Sequence, residues 1–308
     1  MNFNASSATS SRSACPARRH GFSIIEVIVV IGLMSFIVFG LVLMFSQTQR
    51  AYKLGTTQVD VMESGRATID LIGRELAVIA PAQLSKVVNF YAELPFDPPL
   101  RQALPGISTA QRVNVIQDLY FLTEENQTWK GVGYLIANRA AGVGTLYRYE
   151  MSTRSPVSPQ DMFVNFYSNY SDGGGTNKVI ISLNQPLDNE LKLNINRIMD
   201  GVVHFRVSAY NPEGFWITNQ FLYGAQSNLS MSASSLIPGE VGYLSMYSNL
   251  VPASVELEIG VLEDAALAKA KAIPNLNRRY DYLTNQASRV HLFRVRVPVR
   301  NVDPNAYP

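Results

Sequence analysis

The apolar pattern begins with an almost unbroken run. Between Phe22 and Phe45, 19 of the 24 residues are apolar and only Glu26 is charged. At about 1.5 Å per residue, a helix of this length extends roughly 36 Å, which exceeds the hydrocarbon core of a bilayer at about 30 Å. The pattern therefore predicts a transmembrane helix.

Helical periodicity continues beyond this run until Pro81, which ends it. We expect one helix over 22–80, apolar on all sides over 22–45 and amphipathic over 46–80, with the amphipathic part packed on a domain. The apolar stripe of that part consists of Leu54, Val61, Gly65, Ile69, Ile72, Leu76 and Ile79. Gly55, Gly65 and Gly73 each weaken a helix by about 1 kcal/mol relative to Ala, and the sequence leaves open whether they are close-packing points or hinges.

Five of the 16 prolines lie between Pro81 and Gly106, which excludes helix and predicts a long surface connection over 81–110. Beyond it the apolar period changes to two, which predicts a β-rich head over 111–308 with one late helix at 263–272. The predicted strands are 112–122, 131–138, 144–151, 161–167, 178–183, 191–196, 202–210, 215–223, 254–262 and 290–299. The predicted fold class is α+β, with a long N-terminal helix packed on a mostly antiparallel β-rich head.

The composition limits the partners, metal sites and reactions that we expect of this chain. The 26 Lys and Arg residues against 24 Asp and Glu give a net charge of +2, which does not indicate a nucleic-acid or membrane-surface partner. With Cys15 as the only cysteine, no intrachain disulfide forms, and three histidines offer little for a histidine-rich metal site. No Gly-x-Ser-x-Gly elbow and no phosphate loop occur. We therefore predict no metal, no cofactor and no enzymatic activity.

Glu26 is the residue of the apolar run that needs a functional explanation. A carboxylate in such a segment costs on the order of 2–3 kcal/mol on insertion, and a plain single-pass anchor does not account for it. A secretory signal would have a shorter apolar core followed by a small-residue cleavage site, which is not evident after Phe45. Residues 1–21 contain basic but no acidic side chains, so this leader is expected on the cytoplasmic side.

The start of the run resembles the class III signal of type IV prepilins and type II secretion pseudopilins. It reads Arg18-Arg19-His20-Gly21-Phe22-Ser23-Ile24-Ile25-Glu26, a basic leader ending in Gly, then Phe, and Glu at the fifth mature position. The resemblance implies that a membrane-embedded prepilin peptidase removes residues 1–21 by cutting between Gly21 and Phe22. It also implies that the peptidase methylates the new amine of Phe22, with Arg18 and Arg19 as the basic residues of the leader.

Further properties follow from this resemblance. It implies a subunit in the bacterial inner membrane with its leader cytoplasmic and its head periplasmic, which then enters a pilus or pseudopilus. The implied partners are other pilins or pseudopilins, contacted through the N-terminal helix, and an inner-membrane assembly platform. In a filament core Glu26 would need a compensating cation, and the Phe22 amine of a neighbouring subunit is the natural one.

A second resemblance covers the head. The stem 63–76, the segment 200–216, the segment 251–258 and the terminal strand are similar in order and residue type to J-type pseudopilins and W-type minor pilins. This resemblance implies a minor subunit that primes or caps the filament. It leaves open the choice between J-type and W-type roles and between a pilus and a secretion system.

Arg294, Arg296 and Arg300 share one face of the last predicted strand. They form either a partner or polyanion face or a solvated face paired with Glu256 and Glu258 on another strand, and we expect the second. Nucleic acid is therefore not an expected partner. The alternative functions are a DNA- or surface-binding adhesion pilin and, behind it, a membrane-tethered hydrolase.

Three further places carry atoms that could bind a metal ion. His204 is expected on the outer face of a strand without a companion ligand, which disfavours a metal role. Asp172 and the segment 188–190 carry oxygens that calcium accepts, but turn chemistry explains both.

Overall fold

The protein is described from a computed structural model that covers residues 21, 23–95, 98–106, 110–126, 128–153, 159–169, 192–218 and 228–307. The chain divides into two compact units, Met1–Leu54 and Gly55–Pro308. Helix α1 (Ile24–Leu76) contributes residues to both units. Outside α1, the described residues of the first unit are Gly21 and Ser23, and the second unit contains the β-rich head.

The head combines one large sheet with short helices. Its strands are β1 (Val88–Glu93), β2 (Leu100–Ala103), β3 (Gln111–Asn114), β4 (Asp118–Glu125), β5 (Thr128–Ala137), β6 (Gly144–Thr153), β7 (Lys192–Tyr210), β8 (Leu229–Ala233), β9 (Val241–Tyr247), β10 (Ser254–Leu262) and β11 (Val290–Pro298). Its further α-helices are α2 (Pro159–Asn169), α3 (Asp264–Ala272) and α4 (Leu276–Thr284). Single 3-10 turns lie at Ala140–Gly142, Ala287–Arg289 and Pro304–Ala306.

Nine of these strands form one antiparallel sheet in the order β11-β10-β7-β6-β5-β4-β1-β9-β8, while β2 pairs with β3 separately. The α+β class with a long N-terminal helix and an antiparallel head is therefore confirmed. The late helix predicted at 263–272 is also confirmed, since α3 occupies all but its first residue.

The amphipathic part of α1 packs on one face of this sheet. Val61, Ile69, Ile72 and Leu76 are buried in the main core, together with side chains of β4, β7, β10 and β11. The charged residues Asp60, Arg66, Asp70 and Arg74 are exposed. The predicted stripe is thus confirmed over these positions, because the helical period places them on one side of the cylinder.

The opposite face of the sheet is covered by α2, where the sequence predicted a strand at 161–167. That prediction is wrong. Met162 and Phe166 are fully buried on one helical face against Tyr120 and Tyr149. Their spacing of four residues is a helical period, and Pro159 occupies the first helical position, where proline is favoured.

The structure also differs from the expected surface connection over 81–110. Strand β1 lies inside the sheet between β4 and β9, and its residues Val88–Ala92 are buried without alternation. A strand covered on both faces loses the period of two, and the flanking prolines concealed it in the sequence. Strands β8 and β9 likewise lie between residues 223 and 254, where the sequence predicted no strand.

Three other predicted strands have different bounds in the structure. The segment 112–122 forms β3 and β4 as separate strands, and 191–196 joins 202–210 in the single strand β7. Gly201 adopts a left-handed φ of +75° within β7, beside the point where its pairing register shifts. The segment 178–183 and most of 215–223 lie outside the described residues.

Candidate assembly helix and charged face

The amino-terminal half of α1 is a wholly exposed apolar surface. Its residues from Ile24 to Phe45 are all exposed, and the window that qualifies it as a membrane span is entirely unburied. By length and composition this helix could cross a membrane. Gly21 is exposed, whereas Phe22, Arg18 and Arg19 lie outside the described residues, so the cleavage site stays a prediction.

Glu26 accepts a local hydrogen bond at the start of α1, which we did not predict from the sequence. The backbone N–H of Ser23 donates a hydrogen bond to Glu26 Oε2 at 3.3 Å. Ser23-Ile24-Ile25-Glu26 has the spacing of a capping box, in which the third helical residue reaches back to the residue before the helix. The carboxylate therefore lies at the positive end of the helix dipole, where a negative charge is favoured.

The charged face of the head, defined here as the side of β7, β10 and β11 that points away from α1, contains Arg294 and Arg296 of the predicted set. Arg294 lies opposite Glu258 in the strand register, and Arg296 lies opposite Glu256. Arg294 Nη2 is 2.6 Å from Glu256 Oε1, and its Nε is 3.3 Å from Glu258 Oε1. The hydrogen bond to Glu256 raises the pKa of the Arg294 guanidinium. The predicted cross-strand charge pairs are confirmed.

The other two arginines of the predicted set are placed differently. The Arg296 guanidinium lies over the Tyr210 ring at 3.8 Å from its centroid, and its Nε donates to Ser254 Oγ at 3.0 Å. Arg300 follows β11 and donates its backbone N–H to the carbonyl of Ala77 at 3.1 Å. The side chains of Arg294 and Arg296 therefore have different partners, and the charge of Arg294 is already compensated.

Next to these residues, Arg206 of β7 extends the charged face. Its Nη2 lies 2.9 Å from Glu240 Oε1, and its guanidinium lies 4.9 Å from the centroid of the Trp216 ring. Burial raises the pKa of Glu240, although Arg206 opposes that effect. The side chain of Arg206 is thereby fixed in the same row as Glu258, its register partner on β10.

The structure differs in part from the prediction for His204, which was expected on the outer face of a strand. It points away from the α1 side as predicted, but it is buried, and residues 115–117 run beside it with backbone hydrogen bonds to Phe205. The Val115 N–H donates to His204 Nδ1 at 3.1 Å, so Nε2 carries the proton and lies 3.4 Å from Glu258 Oε2. Burial lowers the pKa of His204, and the His204 hydrogen bond lowers that of Glu258.

Nucleophilic catalysis needs a base beside a hydroxyl or thiol, and a metal site needs several His, Cys, Asp or Glu side chains close together. His204 and His291 each pair with a glutamate, and neither has a hydroxyl or thiol nucleophile as its hydrogen-bond partner in the described chain. No group of three or more His, Cys, Asp or Glu side chains that would hold a metal ion occurs among the described residues. Asp172 and the segment 188–190 lie outside them.

Comparisons with known proteins give no relative. No protein-family model matches the chain, and neither a curated protein nor a solved structure matches it. The functional assignment therefore depends on the residues and their geometry.

Proposed function

We propose that the chain is a minor pilin or minor pseudopilin, a structural subunit that primes or caps a type IV pilus or a type II secretion pseudopilus. The observation that carries this proposal is the sequence Arg18-Arg19-His20-Gly21-Phe22 placed directly before an exposed apolar helix with Glu26 near its start. A basic leader, an apolar helix and a β-rich head are the parts that such a subunit needs.

The proposed mechanism is assembly rather than a reaction. A prepilin peptidase cuts after Gly21 and methylates Phe22, and the subunit waits in the bacterial inner membrane with its head in the periplasm. The assembly platform then moves its helix into a bundle of other pilin helices. The exposed apolar side chains from Ile24 to Phe45 permit this transfer, because a helix bundle shields them as well as lipid does.

Glu26 gains a two-part role under this proposal. In the separate subunit its carboxylate caps α1 through the Ser23 N–H, which lessens the cost of a charge near the membrane. In the filament the same carboxylate binds the methylated Phe22 amine of a neighbouring subunit and sets the register between helices. The cation replaces a weak backbone contact with a charge-assisted one.

The cleavage step is tested by co-expressing the full chain with a prepilin peptidase. We expect loss of the leader from the unaltered chain and from G32A, since no atom lies within 4 Å of a Cβ at Gly32. G21L should stay uncleaved, because the pattern of the signal requires a small residue before Phe22. Cleavage of G21L at the same bond, or no cleavage of the unaltered chain, would contradict the proposal.

The role of Glu26 is tested by comparing E26Q with E26L. The Gln side chain keeps an oxygen that accepts from the Ser23 N–H, whereas Leu removes both this acceptor and the charge. We expect both variants to insert in the membrane and both to enter filaments poorly. This result would show that assembly requires the negative charge of Glu26. Normal incorporation of E26Q would assign Glu26 to helix capping alone.

The second candidate function, an adhesion pilin that binds DNA or surfaces, has the arginines of β11 as its support. Arg294 is held by two carboxylates and Arg296 by Tyr210, so the charged face offers a polyanion little free positive charge. A membrane-tethered hydrolase has no supporting arrangement among the described residues. The assembly subunit is therefore the better-supported function.

A further inference from the structure

Strand β11 forms one edge of the nine-stranded sheet. It pairs with β10 over its whole length, and no strand of the described chain pairs with its other side. This pairing is continuous over nine residues and has no register shift, unlike that of β7 with β10. A long and regular edge is a template for another strand.

The register identifies the backbone groups that face outward. The Val299 N–H donates to the Ala253 carbonyl at 3.0 Å, which places the odd-numbered residues of this segment in the hydrogen-bonded pairs with β10. The N–H and C=O groups of Leu292, Arg294 and Arg296 therefore point away from the sheet. Pro298 belongs to the same outward set, where its missing N–H breaks no pairing.

The side chains beside this edge have an alternating charge from strand to strand. Arg206 on β7, Glu258 on β10 and Arg294 on β11 occupy one row of register partners. The neighbouring row contains Glu256 on β10 and Arg296 on β11. Opposite charges on adjacent strands stabilise a sheet, whereas like charges destabilise it. The next strand in each row would therefore carry a carboxylate.

The outward cations also discriminate between partners. A second copy of β11 in this position would place arginines opposite arginines, which opposes self-pairing. Arg294 already pairs with Glu256 and Glu258, and Arg296 lies over Tyr210, but both side chains are exposed, so both guanidinium groups remain within reach of a side chain on an added strand. The other edge of the sheet, β8, carries only uncharged side chains in the described residues Leu229–Ala233.

We propose that β11 binds an extended acidic segment of another protein, which adds to the sheet as a further strand. Two carboxylates of this segment, two residues apart, lie opposite Arg294 and Arg296, and its backbone bonds to the outward groups of β11. Alternate residues of a strand share a face, so the spacing of the two cations sets the spacing of the two carboxylates. The proposal does not depend on filament assembly.

The test uses the full chain in detergent micelles and a synthetic probe, acetyl-Thr-Val-Glu-Val-Glu-Val-Thr-amide. In the free chain, the amides of Leu292, Arg294 and Arg296 should exchange with solvent faster than those of Phe293 and Val295, which bond to β10. Saturating probe should slow the three outward amides at least about tenfold, because each gains a strand hydrogen bond. The control probe, with Gln in place of both Glu residues, should bind at least about threefold more weakly.

A pair of variants at one position tests the backbone contact. L292P removes an outward N–H that makes no bond to β10, whereas L292A removes the same side chain and keeps that N–H. We expect L292P to lose at least about tenfold in probe affinity and L292A to keep it, with both melting near the unaltered chain. If L292P does not fold, the exchange measurement on the unaltered chain decides.

Three results would overturn the proposal. Equal binding of the Gln probe would remove the acidic specificity, and binding without slower exchange of the three outward amides would place the probe elsewhere. Slower exchange that depends on protein concentration, without any probe, would assign the edge to a second copy of the chain. Cleavage of the leader has no bearing on these results, so this proposal and the proposed function fail separately.

Discussion

Replacing Gly65 with Ala tests how closely α1 packs on the head. A Cβ at this position would lie 2.2 Å from Cε2 and 2.4 Å from Cζ of Phe293, far inside van der Waals contact. Helix propensity favours Ala over Gly by about 1 kcal/mol, whereas overpacking a core costs about 1–3 kcal/mol. We therefore expect G65A to lower the free energy of unfolding by about 0–2 kcal/mol instead of raising it.

The other two stem glycines provide matched controls. No atom lies within 4 Å of a Cβ at Gly55, so G55A should add about 1 kcal/mol to helix stability. A Cβ at Gly73 meets only Val297 Cγ2 at 3.3 Å, so G73A should fall between the two. These distances assign Gly65 to close packing, one of the two interpretations that the sequence left open.

The measurement is thermal or denaturant unfolding of the full chain in detergent micelles, followed by circular dichroism. For a unit of this size, 1 kcal/mol corresponds to about 2–4 °C in melting temperature. The cost of G65A should shrink by at least about 1 kcal/mol in the F293L background, since the ring is the obstacle. Stabilisation by G65A as large as that by G55A, or an unchanged cost in F293L, would refute the reasoning.

Other predictions concern the charges of the head. Burial lowers the pKa of His204, so its contribution to stability is complete above about pH 6.5 and is lost as the pH falls below that value; H204Q should flatten this part of an unfolding-versus-pH curve. E75A should lower the free energy of unfolding by about 1–3 kcal/mol, because it leaves Arg148, 2.7 Å from Glu75 and half-buried, with fewer carboxylate oxygens; equal stability of E75A would contradict this. R294A combined with R296A should leave the salt dependence of any DNA binding unchanged in a filter or polarisation assay, and its loss would revive the adhesion alternative.

The parts of the fold that the sequence predicted depend on local pattern. The stripe through Val61, Ile69 and Ile72 was predictable because a long helix repeats one period many times. Strand β10 and the late helix α3 have clear periods bounded by turn residues. The cross-strand partners of Glu256 and Glu258 followed from strand alternation, without knowledge of which strands were neighbours.

The missed parts depend on contacts between distant residues. β1 is covered on both faces, so the period of two that marks a half-buried strand is absent. The Nδ1 of the buried His204 accepts a hydrogen bond from Val115, about ninety residues earlier in the chain, and no local pattern records the position of that segment. Met162 and Phe166 did carry a helical spacing, but five of the six residues from Met162 to Tyr167 are apolar or aromatic, and such a run also fits a strand. The capping contact of Glu26 was predictable, because Ser23 stands three residues before it, as in a capping box.

The most direct test of the central claim is the intact mass and amino-terminal sequence of the protein extracted from membranes of cells that contain a prepilin peptidase. We predict a chain that begins at Phe22, lacks residues 1–21 and carries one methyl group on its amine. A chain that keeps Met1, or one that begins near residue 46 after the apolar run, would contradict the assignment to the prepilin class.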